Sequence, residues 1–570
     1  MLLQNAEGAK RDVNLSGKRT DYHLLKASVI WLSKASFETS FYFAVNYERG
    51  KYMENFFTKL SEVNSAINSV VWGPAALILL VGTGLLMTFL TKFFQVTHIG
   101  HWFKSTIGSV FNKSVSGHTD KKDKSISQFQ SMCTALAATV GVGNIAGVAS
   151  AIATGGAGAV FWMWVAAFFG MMTGFSENVL GIYYRQKNKN GEWSGGAMYF
   201  LRYGLGSKKG FKTIGKVLGA LFALFTVLAA FGIGNMGQVN KIVANIQAAF
   251  KFEALSSIVL YGEGDNAVTL YSAIIGAVIM ILTGLIVLGG VKRIGAVAEK
   301  IVPVMVVLYV IGSLTVIGIN YDMIGTAFYN IFKTAFTPVA AAGGTFGYLV
   351  SVVITQGFKR GVFSNEAGLG SSVMVHCNGK IKEPVRQGMW SIFEIFVDTI
   401  VVCTMTALVV LTSGVFDFNT GGVKAGAGNE ATLVANAFDT VFTFGGVNVG
   451  SMFVAIAIFL FAFTTILGWS HYGSKAFEYL FGTKATVIYK VVFVVMIMSG
   501  ALMTSSIAWD ISDTFNALMM FPNLIGVISL SGLVVKITNN YIDRKLKGKD
   551  IKPMLSAYPE IEQEVMEYED

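Results

Sequence analysis

Windows of about 20 largely apolar residues recur along this chain, near 72–94, 128–154, 158–184, 214–248, 271–290, 294–317, 346–375, 388–412, 449–469, 487–503 and 505–537. At the rise of an α-helix, a run of that length crosses the hydrocarbon core of a bilayer. Backbone groups inside lipid must be satisfied within the segment or in a closed barrel. No period-two alternation marks a barrel wall, so the windows read as helices. The fold class is all-α, a polytopic membrane protein with about eleven transmembrane helices. Hydrophobic residues make up 53% and charged residues 14%, too little polar surface to clothe several soluble domains. The 63 glycines against 7 prolines suit close helix packing. Cys133, Cys377 and Cys403 are too dispersed for a disulfide framework or a zinc site.

The net charge of +10 is scattered through short loops rather than gathered on one polar face, which points to membrane orientation and away from nucleic acid. Loops 97–127, 185–213, 291–300 and 376–387 are basic, as is the tail with Arg544, Lys545, Lys547 and Lys549. They alternate with loops 251–270 and 413–448, which carry more acid or glycine. The positive-inside rule then puts the first span's start outside and the C-terminus in the cytoplasm. Residues 1–52 form a polar extension with no span. Val29 to Leu32 is too short an apolar core for a signal peptide and is soon followed by Lys34. Basic residues of 1–52 would lie outside, against the rule, and Met53, opening MENFFTKL, reads as an alternative start. The remaining divisions are 53–127 (first span and basic loop), 128–320, 321–540 and a cytoplasmic tail, 541–570.

The window 128–154 is interrupted. Ala137 to Ala149 reads AATVGVGNIAGVA, with Gly141, Gly143 and Gly147 beside Thr139 and Asn144. Each glycine costs a helix about 1 kcal/mol relative to alanine. Unwound backbone at membrane depth needs a protein wall and usually a small polar or ionic guest. The window 346–375 holds a second such run, GFKRGVFSNEAGLGSS from Gly357 to Ser372. With the first span set aside, the two windows lie five apart among ten. That spacing predicts two inverted five-helix repeats, each opening on a discontinuous helix, as in secondary transporters.

ATVGVGNIAG, the WSGGAMYFL of Trp193 to Leu201, and FKRGVFSNEAGLGS together resemble the alanine/glycine:cation symporter family, over essentially the whole chain from about Met53. The resemblance implies the broader leucine-transporter architecture and uptake of a small neutral amino acid, alanine or glycine, with sodium as coupling ion and no cofactor. The cell membrane is the implied location. It carries roles onto residues of this chain. The amides of Val142 and Gly143, at the positive end of the second half-helix, would take the substrate carboxylate, with Asn144 orienting the unwound turn. The carbonyls of Ala137, Val140 and Phe461 with the hydroxyls of Thr464 and Thr465 would hold sodium.

The residues themselves leave alternatives. Gly141 and Gly143 also permit close packing, and each threonine can bond back to a carbonyl one turn earlier. Loose carbonyls near Phe363, Ser364 and Asn365 suit a substrate amine. Glu366 is costly at membrane depth unless paired, and a structural ion pair with Arg360, beside Lys359, is expected in preference to amine binding. In GIGNMGQVN, Gln238 is the candidate ligand, with Asn235 and Asn240 nearby. Trp469 either shrinks the cavity, one turn beyond Thr465, or anchors the span at the interface.

Buried acids Glu177, Glu394, Asp398, Asp510 and Asp513 keep a proton-coupled amino acid permease open. A non-transporting amino acid sensor of the same fold is a further reading. An enzyme is not expected, since no acid, base and nucleophile share one face. GVGNIA, from Gly141, fits a dinucleotide pattern without a βαβ unit, and GFKTIGKV, from Gly210, has Val217 where a phosphate loop needs Ser or Thr. His98 and His101 sit in a basic loop and suggest no site.

Overall fold

The computed structural model describes residues 58–117, 123–262, 267–337, 346–428, 430–503 and 507–568. The expectations for 1–52 and for a start at Met53 lie outside the described residues. The chain divides into Met1–Val63, of which only 58–63 are described and are helical, and Asn64–Asp570. The second unit carries the architecture below.

Among the described residues, nine helices are long and apolar enough to cross a membrane, or ten when one bent pair counts as a single span. The described strands form only two-stranded hairpins, so no closed barrel is present among them. Helix α1 (Pro74–Leu90) starts on a proline, whose missing N–H is no loss at that position. Helix α2 (Gln128–Thr139) starts on a capping box: Ser127 accepts from the Gln130 amide and Gln130 accepts from the Ser127 amide. Then follow α3 (Val148–Gly155), α4 (Gly158–Tyr183), α5 (Lys212–Phe231), α6 (Gly237–Ala249), α7 (Leu270–Val287), α8 (Gly290–Ile319) and α9 (Ile324–Phe336). The second half holds α10 (Phe346–Asn365), α11 (Val373–His376), α12 (Pro384–Ile395), α13 (Thr404–Thr412), α14 (Glu430–Asp439), α15 (Val449–Phe481), α16 (Thr486–Leu502), α17 (Ile507–Ser529), α18 (Ser531–Lys545) and α19 (Pro559–Met566).

Three windows end differently from their hydropathy. Window 449–469 continues to Phe481, because the polar residues beyond Trp469 are themselves buried and paired. Lys475, for example, contacts Glu478 at 3.1 Å. Window 505–537 resolves into α17 and α18, so the basic tail begins on a helix. Window 346–375 is helical only to Asn365 and resumes at Val373.

Helix α4 lies against α10, α12 and α1, while α15 lies against α2, α5, α6, α8 and α14. Helices α7 and α16 pair at the periphery, with Ile281, Leu285, Val487 and Ile488 exposed as a lipid-facing surface requires. At the basic end, a hairpin of β1 (Gln186–Lys187) and β2 (Trp193–Ser194) follows α4. Arg185, fully buried, donates to the carbonyls of Cys377 (3.1 Å), Gly379 (2.8 Å) and Ile381 (2.7 Å) beyond α11. Its guanidinium stacks on Trp193 at 4.1 Å. The tail folds onto the same loops. Arg544 makes a forked pair with Glu383 at 2.8 and 2.9 Å, and Ile561 and Val565 of α19 cover Trp193.

Candidate functional site

Helix α2 stops at Thr139, and the chain resumes through a wide turn, Gly143–Gly147, with the two halves bent by 49°. The cause is Asn144. Its Oδ1 accepts the Gly141 N–H at 2.8 Å, so that amide is turned from the Ala137 carbonyl four residues back. Its Nδ2 donates to Asp398 Oδ1 at 2.7 Å and to the Asp398 carbonyl at 3.2 Å. Thr406 donates to the Asn144 carbonyl at 2.7 Å. The amides of Val142 and Gly143 fall among the first donors of the second half-helix, which have no partner in the helix itself.

Helix α10 passes Gly357 and Gly361 unbroken and ends at Asn365; its last helical bond runs from the Glu366 amide to Val362 O at 2.8 Å. The carbonyls of Phe363, Ser364 and Asn365 are thus the helix's open end. The segment 366–372 then unwinds with left-handed backbone at Glu366 (φ 56°), Gly368 (φ 92°) and Gly370 (φ 72°). Side chains hold it there. Asn365 Oδ1 accepts from the Ala367 amide at 3.0 Å. Glu177 of α4 faces the amides of Gly368 and Gly370, and Asn523 of α17 donates to both Glu177 and the Gly368 carbonyl.

The expected ion pair of Arg360 with Glu366 is not formed. The left-handed turn swings Glu366 to Ser371, whose hydroxyl donates to it at 2.5 Å, and to the Trp469 indole. The Arg360 guanidinium lies instead 6.0 Å from the Phe363 ring, and Lys359 pairs with Asp513 at 2.8 Å.

The two breaks meet. A Cβ on Gly143 would sit 3.1 Å from Phe363 Cδ1 and 3.4 Å from Ser364 Cα. Asp398 joins them: besides Asn144, it accepts from Ser364 Oγ and Thr399 Oγ1, both at 2.8 Å through Oδ2. Asn365 in turn donates to Thr399 at 2.9 Å. Asp398 lies on a wide turn, Phe396–Cys403, between α12 and α13 and is fully buried. In the sequence Asp398 is one of five buried acids, and nothing there sets it at this junction. The available signal was one carboxylate at mid-depth of an apolar window. Of the other four, Glu394 bonds His376 Nε2 at 2.9 Å, Glu177 and Asp513 are placed above, and the Asp510 side chain lies outside the described set.

The remaining wall comes from α6 and α15. Gln238 donates to Ile233 O at 3.0 Å, and its Oε1 is buried without a hydrogen-bond partner. A Cβ on Gly141 would lie 3.7 Å from that oxygen and 2.5 Å from Thr465 Oγ1. Asn235 and Asn240 are turned away, donating to Phe493 O at 2.6 Å and Met503 O at 2.7 Å. Thr464 and Thr465 both bond back to Phe461 O, at 2.9 and 3.0 Å, but they part company there. Thr464 also reaches Met305 Sδ of α8, while Thr465 faces Gly141. A hydroxyl that donates its hydrogen bond to a carbonyl keeps its lone pairs for a cation. Trp469 is mid-helix and 2% exposed, so it is no interface anchor. Its Cβ lies 2.4 Å from where a Cβ on Gly234 would be, and its ring meets Tyr472 edge-on at 5.4 Å.

Comparison with known proteins adds the chain's kinship. The sequence model of the sodium:alanine symporter family matches residues 57–555. Sodium/alanine symporter AgcS of Methanococcus maripaludis is 43% identical over 493 residues, 86% of this chain and 99% of that protein. A probable sodium/glutamine symporter, GlnT of Bacillus subtilis, is 33% identical over 86% of this chain and 92% of its own length. Amino-acid carrier protein AlsT of the same organism is 31% identical over 87% and 95%. The chain therefore belongs to the sodium:alanine symporter family, a multi-pass membrane transporter and not an enzyme.

Proposed function

We propose that this amino acid:cation symporter carries alanine or glycine into the cell with sodium, by alternating access around the two helix breaks. The observation that carries the reading is the closeness of the two breaks, where a Cβ added to Gly143 would sit 3.1 Å from Phe363 Cδ1 and 3.4 Å from Ser364 Cα, which sets one break's amides beside the other's helix end. An amino acid presents opposite charges on adjacent atoms and fits that polarity. The amides of Val142 and Gly143 would take its carboxylate, and the carbonyls of Phe363, Ser364 and Asn365 its ammonium. Gln238 Oε1 supplies a further acceptor, and Trp469 bounds the side-chain space. Sodium would lie among the carbonyls of Ala137, Val140 and Phe461 and the Thr465 hydroxyl, with Thr464 behind it; hard oxygens of this kind suit a hard cation.

The architecture in this reading is eleven spans, one extra at the start and two inverted repeats of five, with the C-terminus cytoplasmic. The name of AgcS supports alanine, and that of GlnT warns that family members differ in side-chain size. Uptake of labelled alanine into proteoliposomes tests the reading. Uptake should need inward sodium and stop when choline replaces it. Uptake driven equally by a proton gradient without sodium would make the protein a proton-coupled permease, and alanine binding without flux would make it a sensor.

A further inference from the structure

A cavity of about 450 Å³ opens at the basic end of the bundle, between the β1–β2 hairpin and the far end of α15. Lys187, Lys189, Arg202 and Lys484 line it, with Tyr203 and Tyr479 as walls. Lys187 is shared with Glu564 of α19 at 2.5 Å. Lys189, Arg202 and Lys484 have no carboxylate partner among the described residues, and all three are exposed. The Arg202 guanidinium lies 5.3 Å from the Tyr203 ring and 5.8 Å from that of Tyr479, which fixes its position without neutralising it. One carboxylate borders the cavity, Glu478. It is already engaged by Ser194 at 2.6 Å, Asn188 at 3.1 Å and Lys475 at 3.1 Å.

We infer that this cavity binds the phosphate-bearing head group of an anionic phospholipid. Three cations without a carboxylate partner line one space and favour an anion there, and a phosphodiester offers the oxygens that Arg and Lys recognise. A lipid is favoured over a free anion by the mouth of the cavity. Phe481, on its rim, is 65% exposed, and Val487 and Ile488, one turn beyond Lys484, are 62% and 65% exposed. Acyl chains would lie along that apolar strip while the head group faces the cations. The site stands apart from the helix breaks and does not depend on which amino acid or ion is carried. It is nonetheless joined to them: Glu478 and Phe481 end the helix that bears Thr465 and Trp469.

The test is retention of phosphatidylglycerol against phosphatidylcholine by the purified full chain, read by native mass spectrometry after exchange into mixed-lipid nanodiscs. Wild-type protein should retain phosphatidylglycerol preferentially, and affinity should fall roughly fivefold for each cation removed in Lys189→Ala, Arg202→Ala and Lys484→Ala. Arg202→Lys should keep most of it. Equal retention of the two lipids, or unchanged preference in the triple variant, overturns the inference. Displacement by millimolar inorganic phosphate would overturn the lipid assignment in favour of a soluble anion. Should the triple variant not fold, Lys484→Glu on the exposed rim gives the same reading alone. Sodium-dependent alanine uptake in phosphatidylcholine vesicles, measured alongside, separates loss of this site from loss of transport.

Discussion

Replacing Asp398 discriminates between a carboxylate that fills space and one that ties two broken helices together. It accepts from Asn144 Nδ2 at 2.7 Å and from Ser364 and Thr399 hydroxyls at 2.8 Å each, in a fully buried position. Polar contacts between membrane helices are worth roughly 0.6 to 1.7 kcal/mol apiece, so Asp398→Ala should forfeit roughly 2 to 5 kcal/mol. Against a typical total stability of about 5 to 15 kcal/mol, that is enough to lower folded yield sharply. Asp398→Asn should behave differently. Its remaining carbonyl can still serve Asn144, and the two hydroxyls can rotate to accept from its amide. The fold should therefore survive, while the junction weakens by about one contact. Thermal unfolding in detergent, read with sodium-dependent alanine binding on the same samples, checks both expectations. An Ala variant as stable as wild type and as competent in binding would refute the idea that Asp398 joins the breaks.

Thr465→Val should raise the sodium concentration needed for half-maximal uptake about tenfold, while Thr464→Val, at the hydroxyl facing Met305, should change it little; sodium titrations of alanine uptake decide. Trp469→Ala should enlarge the substrate space, so that glutamine competes with labelled alanine far better than it does in wild type. Arg185→Lys replaces a three-carbonyl fork by a single ammonium. Charged hydrogen bonds are worth about 1.5 to 3 kcal/mol each, so the variant should unfold several degrees lower, with apparent substrate affinity close to wild type in the protein that remains folded.

Hydropathy made the membrane helices legible, but not all their ends. The window closing at Trp469 failed because Lys475 and Glu478 neutralise one another beyond it, and a hydropathy sum counts each as a penalty. The first break was visible because Thr139 and Asn144 stand beside its glycines, and close packing alone seldom needs such polar neighbours. In the second run, Gly357 and Gly361 proved to be packing positions. A Cβ on Gly357 would lie 2.5 Å from Ala159 O, so only 366–372 actually unwinds. Lys359 and Arg360 looked like partners for Glu366 because they are close in sequence. A left-handed residue between helix and loop reverses that proximity, and nothing in one sequence announces it. Asp398 showed its depth but not the partners that join the breaks, since Ser364 and Asn144 lie 34 and 254 residues away.

Asn144 has a consequence for the empty carrier. Because its side chain stands in for the main-chain acceptor that Gly141 would otherwise seek, the kink is held by a hydrogen bond within the protein itself. Under the proposed mechanism, release of cargo would therefore leave the bend in place. In the proposed cycle the unloaded molecule would make its return journey with the seat already shaped, and loading would ask little further ordering of that segment.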